Sequence, residues 1–211
     1  MELPFTPDQF FAVFADYNRT FWWVAVAFWV ATAVVLLRAW RSPPNQSRAL
    51  SFLLATLWLW NAVAYHALFF ARINPAAWPF AALFAIQGVL FLRAGVRREI
   101  EYFSARRAVG VGLVAYALAY PLLSVGLAHP YPAAPTFGVP CPTAILTIGL
   151  LLTARGGAPL GLAIVPGLWG FIGGSAAVIL DVPTDYVLLG AGVLLSVMVL
   201  IRTVRPPRAT F

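Results

Sequence analysis

The sequence predicts an all-α, polytopic membrane helix bundle, and three observations carry that prediction. Hydrophobic residues fill 62% of the 211 positions and charged ones only 10%, with a mean hydropathy of +0.85, so there is too little polar surface to clothe a water-soluble globule. Seven apolar runs alternate with short arginine-bearing segments. The net charge of +7 and the pI near 10.3 come from arginine alone, because the chain has no lysine. Cations confined to the connections between apolar runs mark membrane orientation and not a phosphate-binding face, so the expected partner is the lipid bilayer and no nucleic acid. The whole chain, 1 to 211, reads as one membrane domain.

The first element is an interfacial N-terminal segment, residues 1 to 18. It has no basic n-region and no small-residue cleavage site, so no signal peptide is expected. Thr6, Pro7 and Gln9 form a helix start: a hydroxyl cap, a proline at the first position and a glutamine three residues after the cap. Phe10, Phe14 and Tyr17 then recur at helical spacing opposite Asp8 and Asp16, the pattern of a short amphipathic helix lying in the membrane interface. A frayed leader to the first span is the alternative.

Seven spans are placed at 20 to 37, 49 to 71, 76 to 92, 108 to 128, 142 to 154, 159 to 180 and 186 to 201. Most come near the ~20 residues needed to cross a hydrocarbon core of ~30 Å. The fifth is short, and charge decides its status. If all seven cross, the connections 38 to 48, 93 to 107, 155 to 158 and 202 to 211 share one side and hold twelve arginines against two. If the fifth only dips in and returns, the split is eight against six. The positive-inside rule selects the first arrangement: seven transmembrane helices in a cell inner membrane, N-terminus outside and C-terminus cytoplasmic. Trp22, Trp23, Trp40 and Trp78 near span ends fit aromatic belts.

On the outer side this topology leaves a proline-rich segment, 129 to 142, between spans four and five. From His129 to Thr143 the chain reads HPYPAAPTFGVPCPT, with five of the seventeen prolines, the only cysteine and one of two histidines. Prolines lack a backbone donor and restrict the residue before them, so the stretch is not regular helix. Irregular backbone at a membrane face stands in water or is packed inside protein. His66, about 7 Å inside the outer end of the second span, shares the outer layer with His129, Tyr131 and Cys141. Asp181 and Asp185 flank the outer turn between spans six and seven, where Asp185 can also cap the seventh. His66, His129, Tyr131, Cys141 and Asp181 therefore outline an outer vestibule. His66, His129 and Cys141 also have the chemistry to ligate a divalent metal, or the histidines a haem, although no pair has metal-motif spacing. Plain packing is the alternative, since free cysteine is among the most buried residue types.

Deeper, Asn61 and Gln87 fall about 15 to 18 Å below the outer face, near the midplane. Asn61 and Tyr65 share a helix face, Tyr116 and Tyr120 repeat that spacing in the fourth span, and Thr143 and Thr147 in the fifth. Pro121 frees the carbonyl of Ala117 and kinks the fourth span. These seven polar residues line either a polar path leading inward or interhelical hydrogen-bond contacts. No acidic or basic residue falls in the middle of a span, and with no lysine a retinal Schiff base is excluded. There is no GxSxG, HExxH or glycine-rich phosphate loop, so no catalytic residue is assigned. Gly170 and Gly174 make a GxxxG in the sixth span, a close-packing face used within the bundle or between subunits of a homo-oligomer.

The segments LPFTPDQFFAVFADYN, YHALFFARIN, IQGVLFLRAG and HPYPAAPTFGVPCPT resemble an uncharacterised family of small bacterial multi-pass membrane proteins known only as a domain of unknown function. The resemblance runs from the N-terminus to about Thr153 and is most specific from HPYP to PCPT. It implies an inner-membrane bundle and no activity. The Pro-rich outer segment, the broken-helix character around Pro140 and Pro142 and the midplane polar groups give the expected function: to bind or conduct a small solute or ion through the outward-facing vestibule. Two alternatives stay open: a membrane metallo- or haem-protein using His66, His129 and Cys141, and a non-catalytic membrane partner or assembly factor.

Overall fold

The computed structural model describes residues 4–104, 108–127 and 129–204, and among them the chain forms seven α-helices and no strand. The helices are α1 (Pro7–Arg41), α2 (Pro43–Trp60), α3 (Ala77–Arg97), α4 (Ala108–Leu127), α5 (Pro140–Leu152), α6 (Leu160–Ile179) and α7 (Tyr186–Val204). Past Trp60, α2 continues as a π-helix over Asn61–Phe69 and a 3-10 turn over Phe70–Arg72. A further 3-10 turn, Pro183–Asp185, leads into α7.

The first helix starts as its residues dictate. Gln9 N–H donates to Thr6 Oγ1 at 3.2 Å, Thr6 N–H donates to Gln9 Oε1 at 2.9 Å, and Pro7 needs no donor at the first position. The helix does not stop before the first span but runs on to Arg41, with the backbone at Phe21 leaving helical geometry (φ −124°, ψ 20°). That kink separates an arm, 7 to 20, from the apolar stretch. The arm buries Phe11, Phe14, Tyr17 and Asn18 against the protein, where Phe14 packs on Tyr65 and Tyr17 on Phe69.

Three helix pairs form the rest of the frame, each brought close by small residues. Gly88 of α3 faces Leu59 of α2, Gly110 of α4 faces Gly149 of α5, and Gly170 of α6 faces Gly192 of α7. A Cβ on Gly170 would lie 2.5 Å from the Gly192 Cα, so the backbones touch without side chains between them. Gly174 likewise meets Leu189, and the GxxxG face is thus applied to α7 of the same chain.

Six helical stretches are long and apolar enough to cross a membrane. The exception is α5, whose 13 residues make about 20 Å of helix against a core of about 30 Å. All of its residues except the half-buried Cys141 are buried, so it is the central post of the bundle. At its head, Val139 packs in a cluster with Phe14, Tyr65 and Val182; at its tail, Thr153 Oγ1 accepts from the Phe103 N–H at 3.1 Å.

Candidate functional site

The proline-rich segment is packed inside the protein. Ala134, Phe137, Val139 and Pro140 are buried, while Pro130 and Tyr131 stay exposed. A stretch with five prolines offers more carbonyls than donors, and Asn18 of α1 makes up part of the difference. Its Nδ2 donates to the carbonyls of Pro132 at 2.6 Å and Ala134 at 2.8 Å, and its Oδ1 accepts from the Thr136 hydroxyl at 2.7 Å. The Tyr17 hydroxyl reaches the Gly138 carbonyl at 3.5 Å and accepts from the Trp60 indole at 2.7 Å. His129 stacks on Phe11, ring centroids 3.6 Å apart, with no partner for its Nδ1. Tyr131 and Asp181 are exposed, and Asp181 accepts from the Tyr186 hydroxyl at 2.8 Å.

Beneath this cover lies an ionisable cluster. Asp185 is 3% exposed and accepts from the Tyr120 hydroxyl at 2.5 Å. The Thr184 hydroxyl donates to the Tyr120 oxygen at 3.4 Å, and the Tyr116 hydroxyl donates to the Thr184 carbonyl at 2.8 Å. The Cys141 thiol faces the Asp185 carboxyl, with the Trp169 indole beside it. Helices α4, α5, α6 and the turn before α7 thus converge on one carboxyl group. The sequence reading left Asp185 at the surface turn, and the Tyr116 and Tyr120 pair was the visible sign of its partner helix.

Trp169 joins that cluster to a second one. His66 is fully buried at the middle of the π-helix, inside a cage of aromatic rings: Phe84 at 4.6 Å, Trp169 at 5.3 Å and Phe80 at 5.9 Å, centroid to centroid. Neither His66 nitrogen has a hydrogen-bond partner, and Trp169 Nε1 meets only the Cys141 thiol, without the geometry of a full hydrogen bond. π-Helical turns recur at functional sites because the widened turn re-aims side chains away from α-helical spacing. Here it carries Asn61, Tyr65 and His66 together on the buried side.

Nearer the midplane, Asn61, Gln87, Thr143 and Thr147 are buried and tie helices together, while Tyr65 is buried among aromatic rings and Tyr116 is half-buried. Asn61 donates to the Leu57 carbonyl at 2.8 Å and Thr143 Oγ1 at 3.2 Å, Trp58 donates to Thr147 Oγ1 at 2.9 Å, and Gln87 donates to the Leu162 carbonyl at 3.1 Å. Yet Asn61 Oδ1 and Gln87 Oε1 have no partner. Gln87 lies one turn from Phe84 on α3 and bonds to α6, so its free acceptor and the His66 cage share the interface between α2, α3 and α6, while Asn61 turns toward α5. Pro121 sits within α4, and the Trp29 indole donates to the Leu118 carbonyl beside the interrupted turn at 2.8 Å. The α1–α4 face there holds an apolar groove of about 400 Å³.

Among the described residues, no three histidine, cysteine or acidic side chains gather as a metal ion requires. The arrangement offers instead a buried carboxyl with its hydroxyl and thiol donors, and a set of unpaired acceptors with one indole donor.

Fold and site together define an all-helical protein with six helical stretches long and apolar enough to cross a membrane and an interior that is polar at chosen points. The chain belongs to the family of unknown function DUF6064, matched over residues 7–210. The match continues past Thr153, where the segment resemblance ends, through α6 and α7. No curated protein and no solved structure matches the chain.

Proposed function

We propose that this is a seven-span inner-membrane protein, N-terminus outside and C-terminus in the cytoplasm, that binds a small polar solute or ion between α2, α3 and α6 and conducts it from the outer face. The observation that carries this reading is the set of buried polar atoms left without partners around the π-helix: both His66 nitrogens and Gln87 Oε1 on the side of α3 and α6, and Asn61 Oδ1 on the side of α5. Each buried polar group left unpaired costs about 1 to 3 kcal/mol, and native interiors hold few of them. A guest that hydrogen-bonds to these atoms recovers that energy, so the interior favours binding. Asp185 adds a buried ionisable group in the turn before α7, on the side from which the solute enters.

The seven-span topology draws support from α5. It connects the cluster of Val139, Phe14 and Tyr65 to the Thr153–Phe103 contact at the other end of the bundle, and the flanking buried residues 134 to 139 extend its reach. The twelve-to-two arginine distribution adds independent support.

The test is flux. Purified protein is reconstituted in liposomes, and uptake of a panel of monovalent ions and small neutral polar solutes is followed against protein-free vesicles. Flux of at least one probe is expected, reduced about tenfold or more by Asn61→Leu or Gln87→Leu, a loss that corresponds to about 1.4 kcal/mol. Vesicles no more permeable than the protein-free control to every probe would overturn the reading.

A further inference from the structure

At the other end of the bundle, a polar cavity of about 270 Å³ opens between the start of α2 and the end of α3, with Ser47, Arg48, Ser51, Arg98 and Glu101 in its wall. The charges around it are unequal. Glu101 is engaged by Arg155 at 2.8 Å and by the Ser104 hydroxyl at 2.8 Å, and Arg93 pairs with Glu99 at 3.3 Å. Arg48 and Arg98 have no carboxylate partner among the described residues, and both are exposed. The cavity wall therefore carries two uncompensated guanidinium groups.

The two serines of its wall are neutral and are hydrogen-bonded to the buried Tyr102 behind them. The Tyr102 N–H donates to Ser47 Oγ at 3.0 Å, the Tyr102 and Ser51 hydroxyls share a hydrogen bond at 3.3 Å, and burial pushes the Tyr102 phenol up, so it stays protonated. Arg48 is held over an aromatic ring, and Arg98 closes the end of α3. The Arg48 guanidinium lies 5.2 Å over the Phe52 ring, and Arg98 adopts a left-handed backbone (φ 55°, ψ 41°) that costs a non-glycine residue energy. The site sits at the ends of two helices long and apolar enough to cross a membrane, the level at which lipid headgroups lie.

We propose that this cavity binds a phosphate-class anion, either the headgroup of an anionic phospholipid or free phosphate, between Arg48 and Arg98. The planar guanidinium matches phosphate oxygens in a two-point hydrogen bond, which an ammonium does not. The inference is independent of the interior solute site, which lies between other faces of the same helices.

The experiment measures lipid and phosphate binding to the full-length purified protein. Native mass spectrometry and thermal unfolding are run with phosphatidylglycerol, phosphatidylcholine or inorganic phosphate added, on wild type, R48Q, R98Q, the double variant and R19Q. Arg19 is paired to Asp16 and serves as a charge control. Phosphatidylglycerol is expected to bind and stabilise the wild type and R19Q over phosphatidylcholine, with a loss of about fivefold for each single variant and about thirtyfold for the pair. If inorganic phosphate alone stabilises the wild type and the double variant abolishes this, the proposal stands with free phosphate as the ligand. Equal binding by wild type and the double variant, or R19Q weakened as much as R48Q, overturns it.

Discussion

The Tyr120 hydroxyl donates to the Asp185 carboxyl across 2.5 Å, joining two residues 65 positions apart inside the helix bundle. Neither group has water as a ready alternative, so each sets the other's orientation. Through Cys141 and Trp169 this pair adjoins the His66 cage. The interior thus holds two kinds of polar group: those satisfied by protein, which fix the helices, and those left unpaired, which are free to meet a guest.

Tyr120→Phe removes the donor and leaves the carboxyl buried. The expected loss is about 1 to 3 kcal/mol of stability, read as a lower unfolding midpoint in detergent. Asp185→Asn keeps an acceptor for the Tyr120 hydroxyl and is expected to be milder in stability but impaired in flux. A Tyr120→Phe protein as stable as wild type would show that the hydrogen bond has no net worth.

His66→Phe is expected to stabilise the fold while abolishing transport. The phenyl ring matches a cage of Phe80, Phe84 and Trp169 and removes two buried unpartnered nitrogens, a replacement that is neutral or favourable for packing. Thermal unfolding and liposome flux on one preparation decide it. A destabilised variant would mean that the imidazole nitrogens are satisfied within the protein.

Asn18→Leu tests the hold on the proline-rich segment. Without the amide, the Pro132 and Ala134 carbonyls and the Thr136 hydroxyl lose their partner. Hydrogen exchange in residues 133 to 139 is expected to rise while exchange in α6 and α7 stays unchanged. Unaltered protection of that segment would assign its order to apolar packing alone.

Gly192→Ala introduces a Cβ that would lie 2.7 Å from the Gly170 Cα, an overpacked contact expected to cost about 1 to 3 kcal/mol. Gly112→Ala has nothing within 4 Å of its new methyl group and is expected to be neutral or slightly stabilising through helix propensity. Comparable unfolding midpoints for the two variants would contradict the close α6–α7 approach.

Orientation is read by labelling. In a Cys141→Ser background, Tyr131→Cys is expected to react with a membrane-impermeant maleimide added to intact cells stripped of their outer barrier, because Tyr131 is 53% exposed on the proposed outer face. Reaction only after the membrane is opened would invert the topology.

The sequence by itself determined the class of the protein, the number of apolar helices, the capped start of α1 and the polar residues that face inward. These follow from composition, from 3.6-residue periodicity and from local cap chemistry, all of which act within a few residues along the chain. Thr6 and Gln9 make their capping box whatever the rest does, and the amides of Asn61 and Gln87 are too polar to face lipid. Tertiary structure alone decided what those residues meet. The change from α- to π-helix at Asn61 shifts one hydrogen-bond register, which no local residue pattern announces. Asn18 looked like the tail of an amphipathic segment, and it became a clamp only because the chain returned to it 114 residues later. Asp185 looked like a surface cap until α4 placed Tyr120 against it. Such contacts have no local signature, because their energy arises between groups that only the assembled bundle brings within hydrogen-bonding distance.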